Sequence, residues 1–144
     1  MRILFIFKVI LALRFVTLIS LSSRADAGPI DDIIKSYLQE SKKIDSNLKE
    51  FDAAKGKDFY HAKQIRKDGK KTSCETCHTP DPKMPGKSQA GKAIEPMAPI
   101  VNPKRFTDKA KVEKWFKRNC MDVYERPCTA LEKGHFIKYL QSIK

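Results

Sequence analysis

Residues 74 to 78 read Cys-Glu-Thr-Cys-His, and this C-x-x-C-H run constrains the fold of the chain more than any other feature. Two thiols separated by two residues can add to the two vinyl groups of one porphyrin, and the adjacent imidazole then lies under the iron. The run therefore predicts one covalent haem c, attached through Cys74 and Cys77, with His78 as the proximal iron ligand. C-x-x-C pairs also occur in zinc sites and thiol redox centres, so the rest of the chain must support this interpretation.

The N-terminus has the composition of an export signal. Residues 3–21 are mostly apolar, and Ala25-Asp26-Ala27 follows with the A-x-A pattern that signal peptidase cleaves. We predict a signal peptide over residues 1–27 and a mature monohaem cytochrome c domain over residues 28–144. A retained membrane anchor is the alternative. It is disfavoured because charged residues interrupt a stretch that would need about 20 continuous apolar residues to span a bilayer.

Export fits the haem motif, because bacteria attach haem to C-x-x-C-H outside the cytoplasm, and it predicts a periplasmic location. The whole chain has 29 lysine and arginine residues against 17 aspartate and glutamate residues, a formal net charge of +12. Such a surface favours acidic partners through long-range attraction. No zinc-finger or helix-turn-helix pattern is present, so we predict no nucleic acid partner, and we predict no stable membrane insertion of the mature chain.

Two helices are predicted before the haem motif. The first begins near Pro29 and carries apolar residues at helical spacing. The second covers about residues 48–63 and contains Gly56, Phe59 and Tyr60. This Gly-x-x-Phe-Tyr piece resembles the N-terminal helix of class I cytochromes c, in which the glycine lets another helix cross closely. An ordinary helix with a chance glycine is the alternative.

The second half of the chain is predicted to contain a long loop and two more helices. Residues 79–106 hold six prolines and are expected to form an extended loop that wraps the haem edge. A third helix is expected to start with Thr107 as N-cap. The last helix begins at Thr129 with the capping box Thr129–Glu132, where a class I cytochrome places the helix that crosses the N-terminal one.

The sixth coordination position of the iron decides the function, and several residues are candidates for it. His61 and His135 are more typical of solvated surface histidines than of ligands. Met84 and Met121 are poorly placed, because Met84 is too close to the motif in sequence and Met121 follows the expected helix end. The remaining candidates are Met97, in a proline-rich loop, and Asn119. Asn119 continues the stripe of Val112, Trp115 and Phe116, although an asparagine there could instead cap the helix end.

Cys120 and Cys128 are the remaining thiols. In an exported protein an even leftover pair most simply forms a disulfide. The alternative is a zinc site that uses all four cysteines, which is disfavoured because the second pair lacks C-x-x-C spacing.

The chain resembles the sphaeroides haem protein family, SHP, a group of small exported class I cytochromes c. The resemblance covers most of the mature chain and is closest from Ser73 onward. The matching pieces lie at residues 73–78, 91–99, 105–108, 112–115 and 118–120, and at Cys128. The resemblance implies an all-α class I cytochrome c fold with one covalent haem and an extra N-terminal helix.

The resemblance also implies an unusual distal haem ligand. In the family an asparagine side chain binds the iron and leaves when the iron is reduced, and the open position then binds O2 or NO. The matching residue is Asn119. The family's disulfide begins at the next residue, which falls on Cys120 and Cys128, and its electron donor is often a dihaem cytochrome c.

The expected function is therefore redox chemistry with reversible binding of a diatomic gas. The alternatives are a simple electron carrier whose sixth position is closed by Met97 or Asn119, an enzyme such as a nitric oxide dioxygenase or small terminal oxidase, and a gas sensor or store. Trp115 is expected to pack on the haem. Lys92 and Arg105 are candidates to pair with the haem propionates, although both could be solvated surface cations.

Overall fold

The structure, a computed structural model, describes residues 28–144, and the predicted signal peptide lies outside them. The described residues form an all-α domain, as predicted. It has five helices, of which the short helix over the haem motif was not predicted, and two small antiparallel β-hairpins that were also not predicted. The helices are α1 (Pro29–Ser41), α2 (Ala53–His61), α3 (Cys74–His78), α4 (Lys109–Tyr124) and α5 (Ala130–Ser142). The two-residue strands are β1 (Gln64–Ile65), β2 (Lys71–Thr72), β3 (Gly86–Lys87) and β4 (Ala93–Ile94). No helix within residues 28–144 is long and apolar enough to span a membrane.

Helix α1 is the extra N-terminal helix that was expected. Pro29 occupies its first turn, where the missing backbone N–H has no intrahelical partner to lose, and two aspartates follow there. The helix buries Ile33 and Tyr37 and packs against α5. The Tyr37 hydroxyl donates a hydrogen bond to Glu113 Oε1 of α4 at 2.5 Å, and Lys133 Nζ of α5 donates to Glu113 Oε2 at 2.8 Å. One carboxylate therefore joins three helices.

Helices α2 and α5 cross at a glycine, as the class I resemblance predicts. A Cβ atom added at Gly56 would lie 2.0 Å from the backbone oxygen of His135 and 2.8 Å from Tyr139 Cβ. Helix α5 contributes a second close approach, because a Cβ atom at Gly134 would lie 2.1 Å from the Phe51 ring. The alternative of a chance glycine is wrong. Helix α2 is shorter than predicted, because Asp52 caps it by accepting hydrogen bonds from two backbone N–H groups.

Helix α4 differs from the prediction at both ends. Its N-cap is Asp108 rather than Thr107: the Asp108 carboxylate accepts a hydrogen bond from Lys111 N at 3.0 Å, whereas the Thr107 hydroxyl donates to Lys104 O. A carboxylate at this position also complements the partial positive charge of a helix N-terminus. The helix continues to Tyr124 and ends at Glu125, which adopts a left-handed conformation. Asn119 thus lies inside the helix, so the suggestion that it caps the helix end is wrong.

The proline-rich segment is more ordered than an extended loop. Strands β3 and β4 pair with Gly86 opposite Ile94, and Gly91 supplies the positive φ of 77° that the turn between them requires. The backbone N–H groups of Met97 and Ala98 both donate to the Pro82 carbonyl, at 2.9 and 3.0 Å. These bonds connect two parts of the segment that are about 15 residues apart in the sequence.

Candidate haem site

Helix α3 consists of the C-x-x-C-H residues alone. Ser73 begins it: Thr76 N donates to Ser73 O at 3.2 Å, and Ser73 N donates to Thr76 Oγ1 at 2.9 Å. This reciprocal pair explains why so short a run is helical, because it satisfies backbone groups that a helix end leaves without partners. Cys74 and Cys77 are free thiols, and both are half-buried. Burial raises the pKa of the Cys74 thiol to about 12, so this thiol is protonated at neutral pH.

His78 ends α3 and is chemically suited to bind iron. Burial and, to a smaller extent, the positive charge of Arg105 together lower the pKa of its imidazole to about 4. The ring is therefore neutral at physiological pH, which is the state that ligates a metal. Its buried Nδ1 has no hydrogen-bond partner within residues 28–144. Two thiols and a neutral imidazole on adjoining turns of one helix fit a covalently attached haem.

The backbone around His78 is held by residues from two other segments. The Tyr60 hydroxyl donates hydrogen bonds to His78 O at 3.1 Å and to Thr79 O at 2.6 Å. A Cβ atom added at Gly86 would lie 2.0 Å from Cys77 O, so β3 passes directly against α3. Tyr60 was expected only as part of the Gly-x-x-Phe-Tyr piece of the second helix, and its contact with the end of the haem motif was not predicted.

Asn119 and Met97, the two main candidates for the distal ligand, are both removed from full solvent exposure. Asn119 is half-buried on α4, one turn after Phe116 and next to the buried Cys120. Met97 is only 7% exposed and belongs to the hydrophobic core. Burial alone therefore does not discriminate between them.

The predicted disulfide is present. Cys120 in α4 is bonded to Cys128, with their Cα atoms 5.7 Å apart. Since Cys128 lies two residues before α5 begins, the bond joins the C-terminal half of α4 to the start of α5. The neighbouring Asn119 is therefore on a segment with a covalent restraint, and a zinc site using all four cysteines is excluded.

The other ligand candidates lie in less suitable environments. Met84 and Met121 are 54% and 46% exposed, and Met121 lies within α4 rather than after it. His61 Nδ1 pairs with Glu75 Oε2 at 2.5 Å. His135 is buried rather than solvated, and its Nδ1 accepts a hydrogen bond from Asp52 N at 2.8 Å. These contacts engage both histidines in the packing around α2.

The residues expected around the porphyrin have mixed environments. Arg105 is half-buried and donates hydrogen bonds to the backbone oxygens of Glu95 and Pro96, so it is not a freely solvated cation. Lys92 is exposed. Trp115 is 43% exposed, with the Arg118 guanidinium 5.7 Å from the ring centroid.

Comparisons with known proteins agree with this geometry. The family described as a domain of unknown function (DUF1924) matches residues 46–140. Cytochrome c'' of Methylophilus methylotrophus is 36% identical over 134 residues, which cover 92% of each chain. The cytochrome c-type protein SHP of Cereibacter sphaeroides is 42% identical over 89 residues, covering 62% of this chain and 69% of that protein.

A solved structure gives the same result at the level of the fold. The structure of oxidised SHP, described as an oxygen-binding cytochrome c, superposes with a TM-score of 0.69 at 35% identity and covers 80% of this chain and 96% of that chain. These relatives imply that the domain carries covalently bound haem c. The chain belongs to the SHP-like family of monohaem c-type cytochromes.

Proposed function

We propose that the protein is an exported cytochrome c that opens its haem iron to O2 or NO on reduction. Cys74 and Cys77 carry the thioether bonds, His78 is the proximal ligand and Asn119 is the displaceable distal ligand. The observation that carries the proximal assignment is geometric: Cys74, Cys77 and the half-buried His78 lie together on the short helix α3. Haem c supplies the redox-active iron, and the remaining steps belong to side chains of the protein.

The chemistry of the amide supports Asn119 as a ligand that can leave. An amide oxygen is a hard, weak donor, acceptable to ferric iron and poor for ferrous iron. Asn119 is half-buried and lies next to a disulfide that anchors its helix. Because the disulfide restrains the backbone next to Asn119, we expect this ligand to leave by rotation of its side chain rather than by movement of α4. The description of SHP as an oxygen-binding cytochrome c supports the same function here.

Spectra of the purified protein test this proposal. The ferric protein should be six-coordinate and low- or mixed-spin, and the ferrous protein should be five-coordinate, high-spin and able to bind carbon monoxide. Asn119→Ala should open the ferric site to water or added anions without loss of covalent haem, and Met97→Leu should change little. If Met97→Leu altered both spectra and Asn119→Ala altered neither, Met97 would be the ligand.

A simple electron carrier is the second candidate, and the burial of Met97 favours it. A thioether is a good ligand for ferrous iron, and the Met97 backbone is fixed by its hydrogen bond to Pro82 O. A carrier with a permanently six-coordinate iron would not bind carbon monoxide when reduced. If carbon monoxide does bind, turnover with a donor and O2 separates a nitric oxide dioxygenase or small terminal oxidase from a gas sensor.

We also propose the setting in which this chemistry occurs. Residues 1–27 act as a signal peptide, residues 28–144 form the mature domain, and the mature protein is periplasmic. The physiological donor is an acidic redox protein, of which a dihaem cytochrome c is the favoured example. The basic composition of the chain supports an acidic partner.

A further inference from the structure

Tyr60 is the one side chain of α2 that reaches the backbone of the proposed proximal ligand. It is fully buried, at 0% exposure, and its hydroxyl donates to both His78 O and Thr79 O. The ring also packs against Phe136 and Tyr139 of α5. Tyr60 therefore links the α2–α5 crossing to the end of α3.

The imidazole of His78 lacks the usual means of fixing its own orientation. An iron-binding histidine usually donates its second ring N–H to a carboxylate or carbonyl, which sets the ring orientation and the strength of the bond to the metal. The buried Nδ1 of His78 has no such partner within residues 28–144. The contacts that the described residues do make with His78 at this point are to its backbone, through Tyr60.

The backbone directly after His78 adopts a strained conformation. Thr79, the residue directly after His78, has φ 66° and ψ 159°, a conformation that β-branched residues rarely adopt. Such a conformation persists only where the surrounding structure imposes it. The 2.6 Å hydrogen bond from Tyr60 to Thr79 O is a contact that can do so.

We infer that Tyr60 is a positioning residue for the axial ligand His78, acting by holding the carbonyls of residues 78 and 79 so that the imidazole keeps one orientation under the iron. The inference rests on the proposed role of His78. Loss of the hydroxyl frees the Thr79 backbone to relax, and the ring then tilts and donates less strongly to the iron.

The substitution Tyr60→Phe tests the inference, and Tyr37→Phe is its matched control. Tyr37 is also fully buried, and its hydroxyl also donates one hydrogen bond, to Glu113 Oε1 of α4, which is not part of the haem-binding segment. Both variants lose one hydroxyl and keep the ring, so both should fold and bind haem. The readouts are the iron–histidine stretching frequency of the ferrous protein by resonance Raman spectroscopy, the midpoint potential of the iron, and the melting temperature.

We expect both variants to have a lower melting temperature than the wild type. Only Tyr60→Phe should lower the frequency of the iron–histidine stretching band, broaden that band and raise the midpoint potential of the iron. A purely structural role would lower the melting temperature of Tyr60→Phe and leave the frequency of its iron–histidine band and its midpoint potential as in Tyr37→Phe, which would overturn the inference. If the wild-type ferrous protein gave no iron–histidine band and bound no carbon monoxide, its iron would be six-coordinate and the proposed gas-binding function would be wrong. The midpoint potentials of the two variants would still test the inference in that case.

Discussion

At the residue scale, Gly56 is the position on which the contact between α2 and α5 most directly depends. Replacing it with Ala would place a Cβ atom 2.0 Å from the backbone oxygen of His135, and backbone cannot move aside as a flexible side chain can. We expect Gly56→Ala to lower the free energy of unfolding by about 1–3 kcal/mol, the usual cost of overpacking.

Chemical denaturation of the Gly56→Ala protein measures this cost. The neighbouring Lys57→Ala is the control, because Lys57 is exposed and its truncation should change the free energy of unfolding by less than about 0.5 kcal/mol. Equal stability of the two variants would show that the helices can separate at little cost, and that the close crossing does not hold the domain together.

Single residues also show where sequence reasoning succeeds. The close crossing at Gly56 was predicted from the resemblance of the Gly-x-x-Phe-Tyr piece to class I cytochromes c. Its physical basis is that so close a helix crossing admits only a residue without a side chain. The Cys120–Cys128 disulfide was predicted because an exported chain rarely leaves two thiols unpaired. The burial of His135 was not predicted, because the partner of its ring, Asp52 N, is 83 residues away along the chain.

At the scale of elements, the helices were easier to predict than their ends. Helices α1 and α5 show helical spacing and clear start signals, and both begin where expected. The start of α4 was misplaced by one residue because Thr107 and Asp108 are both good caps, and only three-dimensional context selects one of them. The β3–β4 hairpin was missed because its two-residue strands are too short for an alternating pattern.

The carboxylate of Glu113 joins three helices, and its ionisation leads to a prediction about how the stability of the protein depends on pH. Burial of its carboxyl opposes ionisation, but hydrogen bonds from Lys133 and Tyr37 outweigh burial and hold the pKa below its ordinary value. A carboxyl with a lowered pKa stabilises the folded state above the unfolded-state pKa, and this stabilisation is lost as the pH falls through the folded-state pKa. The three-helix contact should therefore weaken in acid.

We expect Glu113→Gln to lower the free energy of unfolding at neutral pH by about 0.5–1 kcal/mol, since the carboxylate is partly exposed to solvent. The difference between wild type and variant should shrink as the pH is lowered below the ordinary range of glutamate. Thermal melts between neutral and acidic pH measure it, with the exposed Glu50→Gln as control. A difference that stayed constant with pH would mean that the charge of Glu113 does not contribute.

At the scale of the whole molecule, the haem motif and the helix crossing together identify the family, whereas the distal ligand depends on finer detail. The order of the elements follows from local patterns, and the comparisons agree with the resulting fold. Asn119 and Met97 are both shielded from solvent, and the choice between them depends on the affinity of an amide or a thioether for iron in each oxidation state. Sequence patterns report the position of a side chain along a helix, and they carry no direct information about such an affinity.

The charge of the whole molecule leads to the last prediction. The whole chain carries a formal net charge of +12, and residues 28–144 carry +9, from 25 lysine and arginine residues against 16 aspartate and glutamate residues. The exposed lysines of these residues are spread over several elements, and they include Lys57, Lys67, Lys92 and Lys114. Opposite charge speeds the encounter with an acidic donor, and salt screens that attraction over a Debye length of about 8 Å at physiological ionic strength.

The second-order rate of reduction by an acidic donor protein should therefore fall steeply as salt is added. Reduction by a small neutral reductant, measured in the same buffers by stopped-flow absorbance, is the control and should change little. A rate with the acidic donor that did not depend on salt would mean that docking is mainly apolar, and that the basic surface does not select the partner.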